Sequence, residues 1–231
     1  MLKDSFNSVL DMKSDLDIKD TDISAFITRK SKDVSSEKIL EESLMHYNLN
    51  SENIASCNQI HSNKVQFITE AGVYNKTDGL ICSFDSNLVL LIQTADCVPI
   101  FIVDNLKGLM GLVHSGWKGT YQNIITSALS IFFAEGSKKN NIRVYIGPSI
   151  RQCCYEIKED VSKYFNKKYI NMKNDNLYLN LLDKIKDDII SEGIDNHNIC
   201  SSQICTFEDQ KYYSYRKGDN GRIYSAIGVK E

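Results

Sequence analysis

The chain has 231 residues, of which 42% are hydrophobic and 25% charged, and its 27 basic and 30 acidic side chains give a formal net charge of −3. This composition excludes a disordered or low-complexity chain, and the lack of a basic excess argues against a nucleic-acid-binding module. At about 150 residues per domain, the length suits one large domain or two small ones. No segment reaches the ~20 consecutive apolar residues of a membrane span. We therefore expect neither nucleic acid, given the charge, nor a membrane, given the short apolar segments, as a partner.

The first residues and the cysteines indicate where the protein works. Residues 1–21 are polar and charged, lack the continuous apolar stretch of a secretory signal, and are expected to form a strand or a loose arm. The seven cysteines are odd in number and follow no regular disulfide framework. Reduced thiols and the absence of a signal indicate a cytoplasmic protein, and the absence of coiled-coil heptads favours a monomer.

Strand and helix patterns alternate irregularly along the chain, without an internal repeat. Short apolar runs between turn residues predict strands, in chain order, at residues 22–29, 54–60, 64–69, 88–94, 98–103, 109–114, 143–147, 212–216 and 222–229. Apolar stripes at helical spacing predict helices at residues 34–47, 118–133, 158–165 and 179–191. This mixture predicts a single α+β domain with mixed sheets over residues 1–231.

Three segments place a reactive side chain at the end or edge of an apolar strand, where the chain then turns. They carry His61, Cys97 and His114. Loops at strand ends, held by a rigid sheet, are favoured places for catalytic groups. One thiolate and two imidazoles suit Zn²⁺, with Cu²⁺ as an alternative at the same site, and three protein ligands leave a fourth position open, as in catalytic zinc sites. The spacing matches no compact zinc motif, so a buried structural thiol and hydrogen-bonded structural histidines remain open at this point.

Two further pairs of cysteines are candidates for metal binding or redox chemistry. Cys153 and Cys154 form a vicinal pair, which we interpret as two packed thiols. Cys200 and Cys205 are not spaced as C-x-x-C, so a zinc ribbon is not predicted.

Several different short motifs follow one another in a specific order along nearly the whole chain. They are Thr28-Arg29, Gln59-Ile60-His61 with Lys64-Val65, Thr77-Asp78-Gly79-Leu80-Ile81, Thr94-Ala95-Asp96-Cys97-Val98-Pro99, His114-Ser115-Gly116-Trp117-Lys118-Gly119, Gly147-Pro148-Ser149-Ile150, Cys154-Tyr155-Glu156, Cys205-Thr206, Ser214-Tyr215-Arg216 and Gly221-Arg222. In these motifs the chain resembles the YfiH-like family, whose members are described either as multicopper polyphenol oxidases ("laccase domain") or as purine nucleoside phosphorylases. The chain departs from the family pattern at residues 30–33, which lack the usual glycines.

The resemblance implies a fold, a metal site and an activity. The implied fold is the four-layer α/β/β/α arrangement shared with the cytotoxic necrotizing factor toxins. The implied metal site consists of His61, Cys97 and His114. The implied activity is phosphorolysis of adenosine, inosine and 5′-methylthioadenosine, with adenosine deamination as a side activity.

The matched motifs also supply candidate residues for these reactions. Cys97 and His114 are candidates for catalysis, and either Asp96 or Glu156 could be the carboxylate that moves protons. Candidate substrate- and phosphate-binding residues are the basic side chains in or beside the motifs together with the matched aspartate: Arg29, Lys64, Asp78, Lys118, Arg216 and Arg222.

Other functions remain in competition with a zinc-dependent nucleoside phosphorylase. A multicopper laccase needs a histidine-rich trinuclear cluster beside its blue-copper site, and four histidines in the whole chain cannot supply it. A cysteine hydrolase would use Cys97 as nucleophile and His114 as base on an amide such as a cell-wall precursor. A non-enzymatic metal-binding module is the third possibility, disfavoured because three ligands leave zinc coordinatively open.

Overall fold

The computed structural model describes residues 9–18 and 21–231. Its strands are β1 Val9–Asp11, β2 Ile23–Thr28, β3 Ile54–Asn58, β4 Val65–Phe67, β5 Gly72–Asn75, β6 Gly79–Ser83, β7 Val89–Thr94, β8 Val98–Asp104, β9 Leu109–Ser115, β10 Ile142–Ile146, β11 Glu156–Ile157, β12 Ile170–Lys173, β13 Asn176–Leu179, β14 Ile199–Ser201 and β15 Ile223–Val229. Its α-helices are α1 Ser36–His46, α2 Trp117–Tyr121, α3 Ile124–Ala134, α4 Glu159–Ser162 and α5 Leu181–Ser191.

The strands form two six-stranded mixed sheets and one small sheet. The first sheet has the order β1-β2-β15-β7-β3-β5, the second β14-β10-β8-β9-β6-β4, and the small sheet β11-β13-β12. In the first sheet β3 runs parallel to both of its neighbours, β5 and β7, whereas β15 runs antiparallel to β2 and β7. In the second sheet β8 and β9 pair antiparallel, with Pro99 opposite His114.

Side-chain alternation along the central strands creates three apolar cores. On β8, Phe101 faces the core between the two sheets, whereas its neighbour Ile100 faces the core against α3 and α5. Successive strand residues point to opposite faces, so a strand buried on both sides reads as a continuous apolar run. On the outer face of the first sheet, Phe26 stacks on Tyr47 beside α1, with ring centroids 4.9 Å apart. The layers therefore run helix, sheet, sheet, helix, which confirms the predicted α+β fold with four layers and mixed sheets.

Most central strands lie where the apolar runs predict them, but the buried β6 was not predicted, and three predicted elements are wrong. The single helix predicted at 118–133 is two helices, because Asn123 adopts a left-handed backbone with φ of 58° between them. The helix predicted at 158–165 is only the four-residue α4. The strand predicted at 212–216 is a turn, in which the Ser214 amide donates to the Asp219 carboxylate at 2.9 Å. Such side-chain acceptors replace the hydrogen bonds of a strand ladder.

The amino-terminal segment is integrated into the fold where the structure describes it. β1 pairs antiparallel with β2, and Met12, Leu16 and Ile18 are fully buried between the sheets. Of the two expectations for residues 1–21, a strand or a loose arm, the described part shows the strand, at Val9–Asp11, while residues 1–8 and 19–20 lie outside the described residues. Among the helices of the described chain, none combines the length and the apolar character needed to cross a membrane.

Candidate functional site

Three chain crossings from the first sheet to the second meet at one point. They connect β3 to β4, β5 to β6 and β7 to β8, and they carry His61, Asp78 and Cys97, respectively. The carboxyl-terminal end of β9 adds His114. Because both sheets anchor these crossings on rigid strands, residues far apart in sequence are held close together.

The three predicted metal ligands lie together at this point. One donor atom from each of His61, Cys97 and His114 lies within 4.8 Å of the other two. The Cys97 Sγ lies 3.8 Å from the His61 Nε2, and the two imidazole rings meet edge to face with centroids 4.8 Å apart. We call these three residues the His-Cys-His centre.

Asp78 lies behind the centre and holds both histidines. Its carboxylate is fully buried and accepts hydrogen bonds from the His114 Nδ1 at 2.9 Å and from the His61 amide at 2.9 Å. The same carboxylate accepts from the amide and the hydroxyl of Ser62, both at 2.7 Å. His61 has a left-handed backbone with φ of 60°, a conformation that costs about 1–3 kcal/mol unless its surroundings hold it. The bonds to Asp78 from three successive amides, those of Ile60, His61 and Ser62, provide that support.

The charges of the centre are coupled through these contacts. Burial alone would raise the pKa of Asp78, but the hydrogen bonds from His114 and Ser62 lower it to about 2. Burial likewise opposes the charge on His114, whereas its bonds to Asp78 and Cys97 raise its pKa to about 9. Burial opposes the Cys97 thiolate, yet the two imidazoles lower its pKa to about 6. The thiolate form, which is the form that binds metals, is therefore favoured at neutral pH.

The segment after β9 leaves space beside the donor atoms. A Cβ placed on Gly116 would lie 2.9 Å from the His61 Cδ2 and 3.1 Å from the Cys97 Sγ. One placed on Gly119 would lie 2.9 Å from the Ser62 carbonyl oxygen. At each position the shortest distance, 2.9 Å, is too short for a Cβ. Glycine at these two positions therefore allows α2 to begin directly against the centre.

A cavity of about 670 Å³ opens at the centre. The centre's three side chains form part of its wall, together with Gln59, Tyr215 and Arg222. The Gln59 side chain donates to and accepts from the Gln93 backbone at 2.8 and 2.9 Å, which extends the pairing of β3 with β7 to the cavity edge. Tyr215 is 74% exposed, so its ring is available to a ligand.

Of the six residues predicted to bind substrate or phosphate, Arg222 lies in the described cavity wall. Its Nη1 donates to the carbonyl oxygens of Asn220 and Gly221 at 3.2 and 2.9 Å. Asp78 lies behind the histidines instead of on the wall, and Lys64 is exposed.

The other predicted basic residues are engaged by neighbouring groups. The Arg29 Nε donates to the Tyr212 hydroxyl at 3.4 Å. The exposed Lys118 carries its Nζ 5.5 Å from the centroid of the adjacent Trp117 ring. Arg216 donates from its guanidinium to the Glu156 carbonyl oxygen at 3.0 Å.

Neither carboxylate predicted to move protons is part of the described cavity wall. Asp96, which has a left-handed φ of 83°, accepts from the Thr206 and Ser214 hydroxyls at 2.7 and 3.0 Å and from the Arg216 amide at 2.8 Å. These bonds fasten the turn that carries Tyr215 beside Cys97. Glu156 is exposed on β11.

Sequence reasoning missed two contributors to the site. Gly116 was part of a matched motif, but only the positions of His61 and Cys97 show why a side chain is excluded there. Tyr215 stands next to the predicted Arg216, but it lay in a segment predicted to be a strand and was not predicted to bind a ligand. The matched Ser-Tyr-Arg motif was the available signal.

The chain forms a four-layer α/β/β/α fold with a His-Cys-His centre beside a cavity. Comparison with known proteins shows that it shares its fold and its sequence family with others. The family model described as "Multi-copper polyphenol oxidoreductase laccase" matches residues 23–230. The crystal structure of Bacillus licheniformis YfiH superposes with a TM-score of 0.81 and 24% identity, covering 90% of this chain and 93% of that chain. The chain therefore belongs to the YfiH-like family, as its motifs predicted.

Two curated relatives carry names that describe an activity. A "Purine nucleoside phosphorylase" of Borreliella burgdorferi is 31% identical over 193 residues, which cover 77% of this chain and 80% of the relative. "Adenosine deaminase RL5" from an unknown prokaryotic organism is 30% identical over 151 residues, covering 61% of this chain and 58% of the relative.

Proposed function

We propose that this protein is a zinc-dependent purine nucleoside phosphorylase that works in the cavity beside the His-Cys-His centre. The observation that carries the proposal is the convergence of His61, Cys97 and His114 at a cavity of about 670 Å³, in a chain similar to a protein named "Purine nucleoside phosphorylase". That volume lies within the range of small-molecule sites, about 300–1,000 Å³. Adenosine, inosine and 5′-methylthioadenosine are the proposed nucleoside substrates, and phosphate is the co-substrate.

The donor set of the centre fits Zn²⁺. Two imidazole nitrogens and one thiolate are ligands that zinc prefers, and three of them leave a position for substrate. His114 gives its Nδ1 to Asp78, which leaves its Nε2 for a metal, and this histidine–carboxylate arrangement is common around zinc. Copper accepts the same ligands, but the chain's four histidines cannot furnish a multicopper cluster. A bound zinc ion would supply Lewis acidity, which polarises substrate oxygens and acidifies water.

The chain's own residues bind and orient the two substrates. Arg222 holds phosphate by its guanidinium, which suits bidentate contacts with oxyanions, and its bonds to two backbone carbonyls fix its direction at the wall. The exposed ring of Tyr215 stacks on the purine. Asp96 is a positioning residue, since its carboxylate fastens the turn that carries Tyr215.

Adenosine deamination is proposed as a secondary activity of the same cavity. It is supported by the similarity to a protein named as an adenosine deaminase. In this reaction water replaces phosphate as the attacking group, at C6 of the base instead of C1′ of the sugar.

A cysteine hydrolase is the second candidate, and one observation favours it. Cys97, His114 and Asp78 contact one another in the order of a nucleophile, a base and an orienting carboxylate. Iodoacetamide labelling followed by peptide mapping separates the two candidates. We expect zinc to protect Cys97 from labelling and a chelator to expose it, with parallel loss of turnover. Fast labelling of the zinc-loaded protein, with activity rising on chelation, would favour the hydrolase.

The test of the proposed function is a panel of nucleosides incubated with and without phosphate, with products read by mass spectrometry. We expect free base and ribose 1-phosphate to form from purine nucleosides only when phosphate is present. Base released equally without phosphate would identify a nucleoside hydrolase instead. No reaction with any purine nucleoside would contradict the proposal.

A further inference from the structure

We propose a second metal site, formed by Cys153, Cys154, Cys205 and Glu208, that binds Zn²⁺ with all four protein ligands. One donor atom from each of these residues lies within 4.8 Å of the other three. None of the four belongs to the His-Cys-His centre. We call this group the three-cysteine cluster.

Two tight turns present the ligands. In the first, the amides of Cys154 and Tyr155 both donate to the Arg151 carbonyl oxygen, at 2.9 and 2.8 Å, and the Cys153 and Cys154 sulfurs lie 3.2 Å apart. In the second, the Glu208 amide donates to the Cys205 carbonyl oxygen at 3.2 Å. Each turn therefore places its two donors on one side of the chain.

The two turns are joined before any ion binds. The segments pair through a parallel bridge between Ser149 and Cys205, and the Arg151 amide donates to the Cys205 Sγ at 3.4 Å. The Arg151 guanidinium, mostly buried, donates to the carbonyl oxygens of Ile204 and Ser202 at 3.2 and 2.6 Å. The cluster is thus pre-organised, which lowers the ordering cost of binding a metal.

The donor chemistry and spacing suit tetrahedral zinc. Ligands about 2.3 Å from one zinc ion lie roughly 3.8 Å from each other in a tetrahedron. The Cys153 Sγ lies 3.4 Å from the Glu208 Oε2, so small side-chain rotations suffice. Cys153 and Glu208 are exposed while Cys205 is buried, which gives an ion a path from solvent.

The cluster is connected to the first centre through two residues. Thr206, next to Cys205, donates its hydroxyl to the Asp96 carboxylate at 2.7 Å. The Ile150 amide donates to the Asp96 carbonyl oxygen at 3.0 Å. Because Asp96 precedes Cys97, zinc in the cluster fastens the loops beside the first centre. Four protein ligands and no open position are typical of structural zinc.

The test is zinc content of the reduced full-length protein after gel filtration, with the first centre silenced by the double variant His61→Ala/His114→Ala. We expect this variant to retain about one zinc per chain. We also expect Co²⁺ in its place to give the intense charge-transfer band of thiolate ligation. This metal readout does not depend on the proposed phosphorylase activity, so the two proposals can fail separately.

Substitutions in the silenced background identify the ligands. Cys205→Ser and Cys153→Ser should each weaken zinc binding by more than the ~10–100-fold lost with an outer-shell partner. Cys153 is exposed, so its variant tests the site even if Cys205→Ser fails to fold. Cys200→Ser is the matched control, a thiol outside both groups that should leave binding unchanged.

Three outcomes would overturn the second site. The first is a silenced protein that binds no zinc under reducing conditions, and the second is unchanged binding in both cluster variants. The third is a disulfide within the cluster in freshly isolated protein, detected as a loss of two hydrogens, together with no metal binding after reduction.

Discussion

The His-Cys-His centre and the three-cysteine cluster both gather soft ligands, but they are built differently. The centre lies where rigid strands cross between two sheets, with a fully buried carboxylate behind it and a cavity in front. The cluster lies on two turns, and two of its four ligands are exposed. A metal site with an open position beside a cavity is typical of catalysis, whereas a site with four protein ligands is typical of a structural metal. The same kinds of donor atom thus acquire different roles from what surrounds them.

The largest effect should follow from Asp78→Asn, which removes the charge behind the centre. The five donors that face Asp78 would then meet an amide, and His114 would lose the charged partner that fixes its ring. We expect a loss of about 3 kcal/mol in unfolding free energy, about 6–12 °C in Tm, and zinc binding weakened by about 10–100-fold.

Thermal unfolding of metal-free protein and zinc titration measure these effects. Glu208→Gln is the matched change in the cluster, and because Glu208 is exposed it should alter metal-free stability by less than about 0.5 kcal/mol. Equal destabilisation by the two variants would contradict the claim that a carboxylate supports the fold at the His-Cys-His centre but not at the three-cysteine cluster.

Arg222→Ala should reduce catalysis without changing metal content at either region. A hydrogen-bonded contact to a charged group contributes about 1.5–3 kcal/mol, so kcat/KM for phosphate should fall by about 10–150-fold. Arg216→Ala should cost less, because Arg216 is not part of the described wall of the cavity at the centre. Steady-state kinetics with varied phosphate measure this effect, and an unchanged kcat/KM for phosphate would refute the assignment.

Gly116→Ala should disturb the centre alone. Its new Cβ would lie 2.9 Å from His61 and 3.1 Å from Cys97, so at least one ligand must shift. We expect zinc affinity at the centre to fall about tenfold, as after loss of a supporting contact, with cluster zinc retained. Gln122→Ala, an exposed change in the same region, is the control. Normal zinc affinity in Gly116→Ala would show that the centre is more pliable than its packing indicates.

Most of the buried strands could be predicted closely, but the buried β6 (Gly79–Ser83) was not predicted, and neither were several short strands. β8 and β9 are continuous apolar runs, and their predicted bounds differ from the structure by one residue. β5 and β12 were missed because they are short and carry mainly exposed side chains. The turn at 212–216 depends on Asp96, more than a hundred positions away, and no local pattern contains that information.

The same limit separates the two metal regions. His61, Cys97 and His114 each stood at a strand end within a recognisable motif, so they could be proposed together. The positioning role of Asp78 depends on contacts 17 and 36 positions away, which only the fold supplies. Cys153 and Glu208 are 55 positions apart on separate turns. The sequence therefore indicated only that Cys153 packs against Cys154.

The smallest effect is expected from the remaining two histidines. His46 ends α1 and His197 lies in a short 3₁₀ turn at Asn196–Asn198, and neither belongs to a metal-competent group among the described residues. Replacing either with alanine should leave zinc content and turnover unchanged. Loss of zinc in either variant, measured by elemental analysis, would show that the metal ligands have been misassigned.

The most direct test of the central claim is zinc restoration of the chelated protein, followed by phosphate-dependent release of adenine from adenosine. We expect the rate to be near zero after chelation and to rise in proportion to added zinc, and we expect no such rise in His61→Ala. Full activity in chelated protein, or an equal rise in His61→Ala, would contradict the claim that the His-Cys-His centre carries the reaction.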